Sequence, residues 1–448
     1  MKRRKRESRA YMPLVGILPL VAAFAPAAHA DDAATVASSP SSQSSPAVAL
    51  GAPTGPDPAE GFPIAGFLVY PSLFAGVIYN DNIYPTQDNR QAALGFAFAP
   101  KVTAIGDEGL HKTTLTLNAD AEIYPSYPRA SLGGASPTQV SGSARLQHVW
   151  TPTQDLTVDV AAGFTRKYGL FGSLLAAGSD FVSATGGGNV ATYPQFSNQF
   201  SGSVSAEKKI SERWFLRGGF GAQYAQYEGV PIGVGGGGRS GADYNAFLRT
   251  GFWVTPQVNA FVEGGADLHR YGDSWYDSNA YRLIGGLGSD LIGLFRGEVF
   301  AGWQQQGSAE GTFGAVEAPA YGGRIYYYPT PYLTLAASVD QTFGSAATPT
   351  PPRGIRSPSA ETIEGRVQAD YSLARYWTAT VRAGYGRSTW SNSSLVESEW
   401  TVGGGVSYDF WRNIALTLNY QYTATAANEA SVAVYNQNIV SVGMTYRY

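Results

Sequence analysis

From Gly66 to the C-terminus, apolar residues recur at every second position. In one early case Leu115, Leu117, Ala119, Ala121 and Ile123 alternate with Thr116, Asn118, Asp120 and Glu122. A strand points successive side chains to opposite faces, so each such run predicts a strand with one apolar and one polar face. The pattern returns at Val140–Leu146, Leu156–Phe164, Trp214–Tyr224, Tyr244–Val254, Leu333–Val339, Trp377–Tyr385 and Ile414–Tyr422. It closes on Asn438–Tyr448, where Val440, Val442, Met444, Tyr446 and Tyr448 alternate with Ser441, Gly443, Thr445 and Arg447. About eleven tilted residues cross a bilayer, although this last run also fits any half-buried antiparallel strand. The whole pattern predicts about eighteen strands, with sixteen the alternative count.

The connections alternate in length. Short turns are expected at 106–109, 151–155, 211–213, 255–257, 329–331, 373–375 and 411–413. Between them lie longer stretches rich in Gly, Ser, Pro and Asn at 125–138, 169–195, 228–242, 304–318, 345–360 and 423–437. Short turns on one rim and long loops on the other describe a transmembrane barrel. Aromatic residues gather at both strand ends, among them Trp150, Trp214, Trp377 and Trp411 at one and Tyr79, Tyr124, Tyr281 and Trp303 at the other. Such rings prefer the membrane interface. A hairpin repeat of roughly forty residues also matches the period of a propeller blade. A blade needs four short strands per period, and here there are two long ones. The expected fold is therefore all-β: a transmembrane antiparallel up-and-down β-barrel over residues 66–448.

Composition agrees. The chain has 54 Gly and 28 Tyr, and 15% charged residues against about 25% in ordinary soluble domains. A net charge of −3 argues against nucleic acid as a partner. With no Cys, disulfides, thiolate metal sites and cysteine nucleophiles are excluded. Residues 1–30 read as a signal peptide: a basic start, an apolar run from Met12 to Phe24, and Ala28 and Ala30 framing a cleavage site. Its removal takes six basic residues and one acidic one from totals of 31 and 34, leaving a net charge of −8. Residues 31–65 are rich in Ser, Pro and Ala and read as a disordered periplasmic lead-in. No later stretch reaches 18 consecutive apolar residues. An exported chain of this kind is periplasmic, secreted or an outer-membrane barrel.

Two stretches carry a resemblance. Phe67-Leu-Val-Tyr-Pro-Ser-Leu-Phe-Ala-Gly-Val-Ile-Tyr-Asn-Asp-Asn-Ile-Tyr84 resembles the opening of the type 2 family of outer-membrane β-barrel porins, whose Pro-centred first strand ends in Tyr-x-Asp-Asn-Ile/Val-aromatic. The ending at Tyr448 resembles the C-terminal signal strand of such barrels, whose last aromatic is read by the barrel assembly machinery. The resemblance implies the outer membrane of a Gram-negative bacterium and contact with its lipid and lipopolysaccharide. It implies little about cargo, since the family is defined by its fold; small solutes or surface polysaccharide are the expected passengers. It supplies no catalytic residue and no cofactor.

Parity assigns the strand charges to the barrel interior. Pore-lining candidates are Asp120, Glu122, Arg145, Asp159, Arg217, Arg249, Glu263, Asp267, Arg282, Arg296, Glu298, Arg324, Asp340, Glu364, Arg366, Asp370 and Arg382, joined by Glu399 and Arg447. With both signs present, either a weakly selective aqueous wall or a set of structural ion pairs is expected. The loop 169–195 is unusually apolar, and Leu174, Leu175, Asp180 and Phe181 are constriction candidates if it folds inward; extra strand length or contact with the membrane surface is the alternative. His111, His148 and His269 are too scattered in sequence to predict a metal site. Asp267, His269 and Ser274 lie close enough in sequence to suggest hydrolase chemistry, but turn composition explains Ser274 equally well. The expected function is a non-enzymatic pore. A plugged barrel acting through its surface loops is the alternative.

Overall fold

A computed structural model describes residues 61–448 apart from 84–86, 126–137, 170–194, 229–239, 273, 275–276, 312–313, 346–358, 392–393 and 429–433. The signal segment with Ala28 and Ala30, and Leu174, Leu175, Asp180 and Phe181, lie outside the described residues. The strands are β1 (Phe62–Ile64), β2 (Phe67–Asn80), β3 (Ala93–Asp107), β4 (His111–Ile123), β5 (Gln139–Thr153), β6 (Leu156–Gly169), β7 (Gln195–Lys209), β8 (Trp214–Glu228), β9 (Gly241–Thr255) and β10 (Val258–Tyr271). They continue with β11 (Ser278–Ile292), β12 (Phe295–Ser308), β13 (Val316–Thr330), β14 (Leu333–Ser345), β15 (Ser359–Ala374), β16 (Trp377–Trp390), β17 (Val396–Trp411), β18 (Ile414–Ala427) and β19 (Asn436–Arg447).

Strands β2 to β19 pair antiparallel with their sequence neighbours, and β19 returns to β2, from Ile439 opposite Asn80 to Arg447 opposite Ser72. The fold is thus a closed barrel of eighteen strands rather than sixteen. On one rim, connections such as Pro256-Gln257, Gly293-Leu294 and Arg412-Asn413 span only two residues. The long loops occupy the other rim.

Alternation decides which face meets what. Leu94, Phe96, Leu248, Val262, Leu283, Val381 and Met444 stand exposed on the outside of the isolated chain. So many large apolar side chains in one band would not be tolerated in water and suit lipid. Near the rims the outward aromatics pair across strands, Phe295 with Tyr327 at 4.4 Å, Trp377 with Tyr408 at 4.5 Å and Tyr385 with Trp400 at 4.3 Å between ring centroids. Each such pair contributes about 0.2–1 kcal/mol.

Three stretches depart from the sequence-based expectation. The end of the 31–65 lead-in forms β1, whose Phe62 and Pro63 pair with Val69 and Leu68 through a turn at Ala65 and Gly66. Gly66 has φ +85°, which L side chains rarely adopt, and Phe62 and Ile64 are apolar where the preceding segment is not. The expected loop 304–318 shrinks to residues 309–315, because Gln304–Ser308 and Val316–Ala318 continue their strands. Likewise 423–437 shrinks to 428–435. In both cases the wall rises past the apolar band, where an inner face of Gln and Thr suits a strand as well as a loop.

Candidate functional site

The candidate site is the inner wall. The outward phase set by the exposed apolar residues leaves the opposite phase facing the lumen. That phase carries Asp120 and Glu122 on β4, Arg145 on β5, Asp159 on β6, Arg217 on β8, Arg249 on β9, Glu263 and Asp267 on β10 and Arg282 on β11. It continues with Arg296 and Glu298 on β12, Arg324 on β13, Asp340 on β14, Glu364, Arg366 and Asp370 on β15, and Arg382 on β16.

Four of these form one chain of contacts. Arg249 donates from Nε to Glu263 at 2.8 Å, and from Nη1 and Nη2 to the two oxygens of Glu298 at 2.8 and 3.1 Å. Arg282 donates to the other oxygen of Glu263 at 2.9 Å. Glu263 is 0% exposed. The bidentate fork on Glu298 is the geometry that a planar guanidinium favours. Arg249 also lies 3.7 Å over the ring of Phe261, and Arg282 lies 5.9 Å over Phe300. The Phe261 ring in turn occupies the space beside Gly286, where a Cβ would come within 2.5 Å of it. Two arginines and two glutamates thus neutralise one another against an aromatic backing.

The remaining charges stand around this chain of contacts. Arg217 stands in register between Glu207 and Arg249, and Arg324 opposite Glu298. Glu364 accepts from Arg366 at 2.8 Å, and Asp370 accepts from Gln368 and Thr380 at 2.8 and 2.7 Å. Asp340 sits opposite Glu364. Asp120 accepts from Asn118, and Asp159 from Gln147. At the short-turn rim Arg447 reaches Asp409 at 3.5 Å.

Apolar side chains also line this face, which the alternation alone did not reveal. Phe215, Phe247, Phe261 and Ile284 point inward and are buried. At the long-loop rim Ile78, Ile83, Ala93, Ala97, Tyr124 and Ile439 form one buried cluster, with Trp390 and Leu395 a second. Ile83, Leu395 and Tyr435 come from the β2–β3, β16–β17 and β18–β19 connections and are buried at this rim. Burial pushes the Tyr124 and Tyr435 hydroxyls up, with Glu122 and Glu399 adding to it, so both remain protonated. Tyr124 donates to Glu122 at 2.9 Å. A signal existed in the sequence: apolar doublets such as Val77-Ile78, Trp214-Phe215, Phe247-Leu248 and Leu283-Ile284 place a large residue on both faces.

The histidines are less scattered than their sequence spacing suggests. His111 Nδ1 and His148 Nε2 lie 3.2 Å apart beside Trp150. His269 holds Asp243 at 2.6 Å. Among the described residues no three His, Cys, Asp or Glu side chains gather to hold a metal ion. Ser274 lies in the turn before β11, where its carbonyl accepts from Asp277.

Residues 56–448 match the family described as putative beta-barrel porin 2. The chain belongs to that family. Among solved structures, this porin-family chain is similar to OpdK of Pseudomonas aeruginosa with vanillate, at 10% identity, TM-score 0.44, covering 85% of this chain and 99% of that one. A variant of the P. aeruginosa ferric enterobactin receptor PfeA, in complex with enterobactin, aligns at 8% identity and TM-score 0.45, over 88% of this chain and 85% of that one. The FrpB iron transporter of Neisseria meningitidis aligns at 8% identity and TM-score 0.44, over 85% and 81%. No curated protein matches the sequence.

Proposed function

We propose that this porin-family barrel lies in the outer membrane of a Gram-negative bacterium, short turns in the periplasm, and passes small polar solutes without catalysis. The observation that carries this reading is the inner wall. It holds charged and amide side chains along most strands, and such groups belong beside water rather than in a dry core. Because Arg249, Arg282, Glu263 and Glu298 cancel one another, weak ion selectivity is expected. Membrane lipid, lipopolysaccharide and the assembly machinery are the partners this placement brings, and exported polysaccharide is a larger cargo of the same class.

Purified protein in a planar bilayer tests the proposal. Discrete conductance steps with a reversal potential near zero in a salt gradient support it. A specific observation favours a second reading, a closed barrel acting through its loops: Ile83, Leu395 and Tyr435 of the long-loop rim are buried. The same recording separates the two, since a closed barrel gives no steps.

A further inference from the structure

In an eighteen-strand barrel each neighbouring pair is joined by a turn or loop except one, the seam between β2 and β19. That pair has only non-covalent contacts to hold it, and an unlinked edge is where a sheet frays. Its long-loop end is unusually well tied. Asp81 donates its N–H to the Asn438 carbonyl at 3.1 Å, and its carboxylate accepts from the Asn438 backbone and side-chain amides at 2.6 and 2.7 Å. The Asn82 side chain donates to the Asn436 carbonyl at 2.9 Å. The Gln437 side-chain amide donates to the Asn82 carbonyl at 2.8 Å and to Asn80 Oδ1 at 3.1 Å. Asn80 Oδ1 also accepts from the Asn82 N–H at 2.9 Å, setting the turn. Asn80, Asn82 and Gln437 are buried. Beneath them Ile83 packs against Ile78 and Ile439, one from each seam strand.

We infer that Asn80-Asp81-Asn82-Ile83 is a latch that locks the first and last barrel strands together at the long-loop rim. Asp81 contributes charge-assisted bonds to two amides of a single residue, which are stronger than neutral ones. Ile83 adds an apolar peg that bridges both strands. Opening the seam here would unmake all of these at once, because they cross the same gap.

The test uses the full chain in detergent or lipid and the temperature at which its folded gel band converts to the unfolded one. Asp81→Ala and Asn82→Ala should convert several degrees below the native protein. Asn428→Ala is the control: that side chain bonds Ser394 and Val396 across β17 and β18, away from the seam, and it should shift conversion far less. The chain has no Cys, so Asp81→Cys with Asn438→Cys creates one selectable crosslink. Oxidised, this pair should convert at or above the native temperature, and reduced it should fall to the level of Asp81→Ala. A folded band that forms only under oxidising conditions would support the latch equally. Conversion of Asp81→Ala and Asn82→Ala together with the native protein, or of the reduced pair together with the oxidised one, would overturn it.

Discussion

Arg249 is the residue whose loss is expected to matter most to the inner wall. Its side chain is 5% exposed and it serves both Glu263 and Glu298. Arg249→Ala leaves two carboxylates short of a partner, and stranding one buried charge costs about 3–5 kcal/mol. Glu263→Gln keeps an acceptor for one arginine and leaves the Arg249–Glu298 fork intact, so its loss should be clearly smaller. Urea unfolding of the protein in lipid vesicles measures both. On the outer face the contrast is between adjacent residues. Met444 faces outward and is 53% exposed, whereas Thr445 takes the inner phase. Met444 lies about 10 Å along the barrel axis from the Tyr448 end, taking ~3.3 Å per residue and a ~40° tilt. Met444→Arg should therefore cost about 2–4 kcal/mol and Thr445→Arg much less, read by the same unfolding experiment. The face of each charge was legible from parity. Its full set of partners was not: besides Glu263 directly opposite it, Arg249 meets Glu298 by a reach across three strands, which no local pattern encodes.

At the scale of elements, β1 and β19 meet. Phe62 and Tyr448 contact edge to face at 5.4 Å between centroids, and the Tyr448 N–H reaches the Pro71 carbonyl at 3.1 Å. The short-turn end of the seam is thus closed by a residue from the stretch expected to be a lead-in. Phe62→Ala should lower stability by about 0.5–1.5 kcal/mol, the worth of an aromatic pair beyond its area, measurable as a lower gel-conversion temperature. Loss of Tyr448 removes the ring contact and the backbone bond together, and it should also reduce the folded fraction during assembly into vesicles. The limits of β2 could be read from the apolar run that starts at Phe67 and ends at Tyr79-Asn80. β1 could not, because three residues carry too little period to separate from a loop.

At the scale of the molecule, the long-loop rim holds buried apolar residues that no feature of composition marks. The sequence drew attention to the apolar loop 169–195, of which residues 170–194 lie outside the described residues. These buried residues include single apolar side chains in otherwise polar connections, Ile83 and Leu395 above all. Isolated residues of this kind carry no period and no composition bias, so only the closed cylinder shows that they are buried. Ile83→Ser combined with Leu395→Ser should raise single-channel conductance, or open a channel where the native protein shows none.

The side-chain hydrogen bonds at the long-loop end of the seam join residues 354 to 357 positions apart in sequence. The first half of that contact therefore leaves the ribosome long before the second. Until the last strand arrives, the growing sheet has two raw edges, and each can pair with another copy of the chain. A chain that loses its final strand to proteolysis would have no way to hide its first.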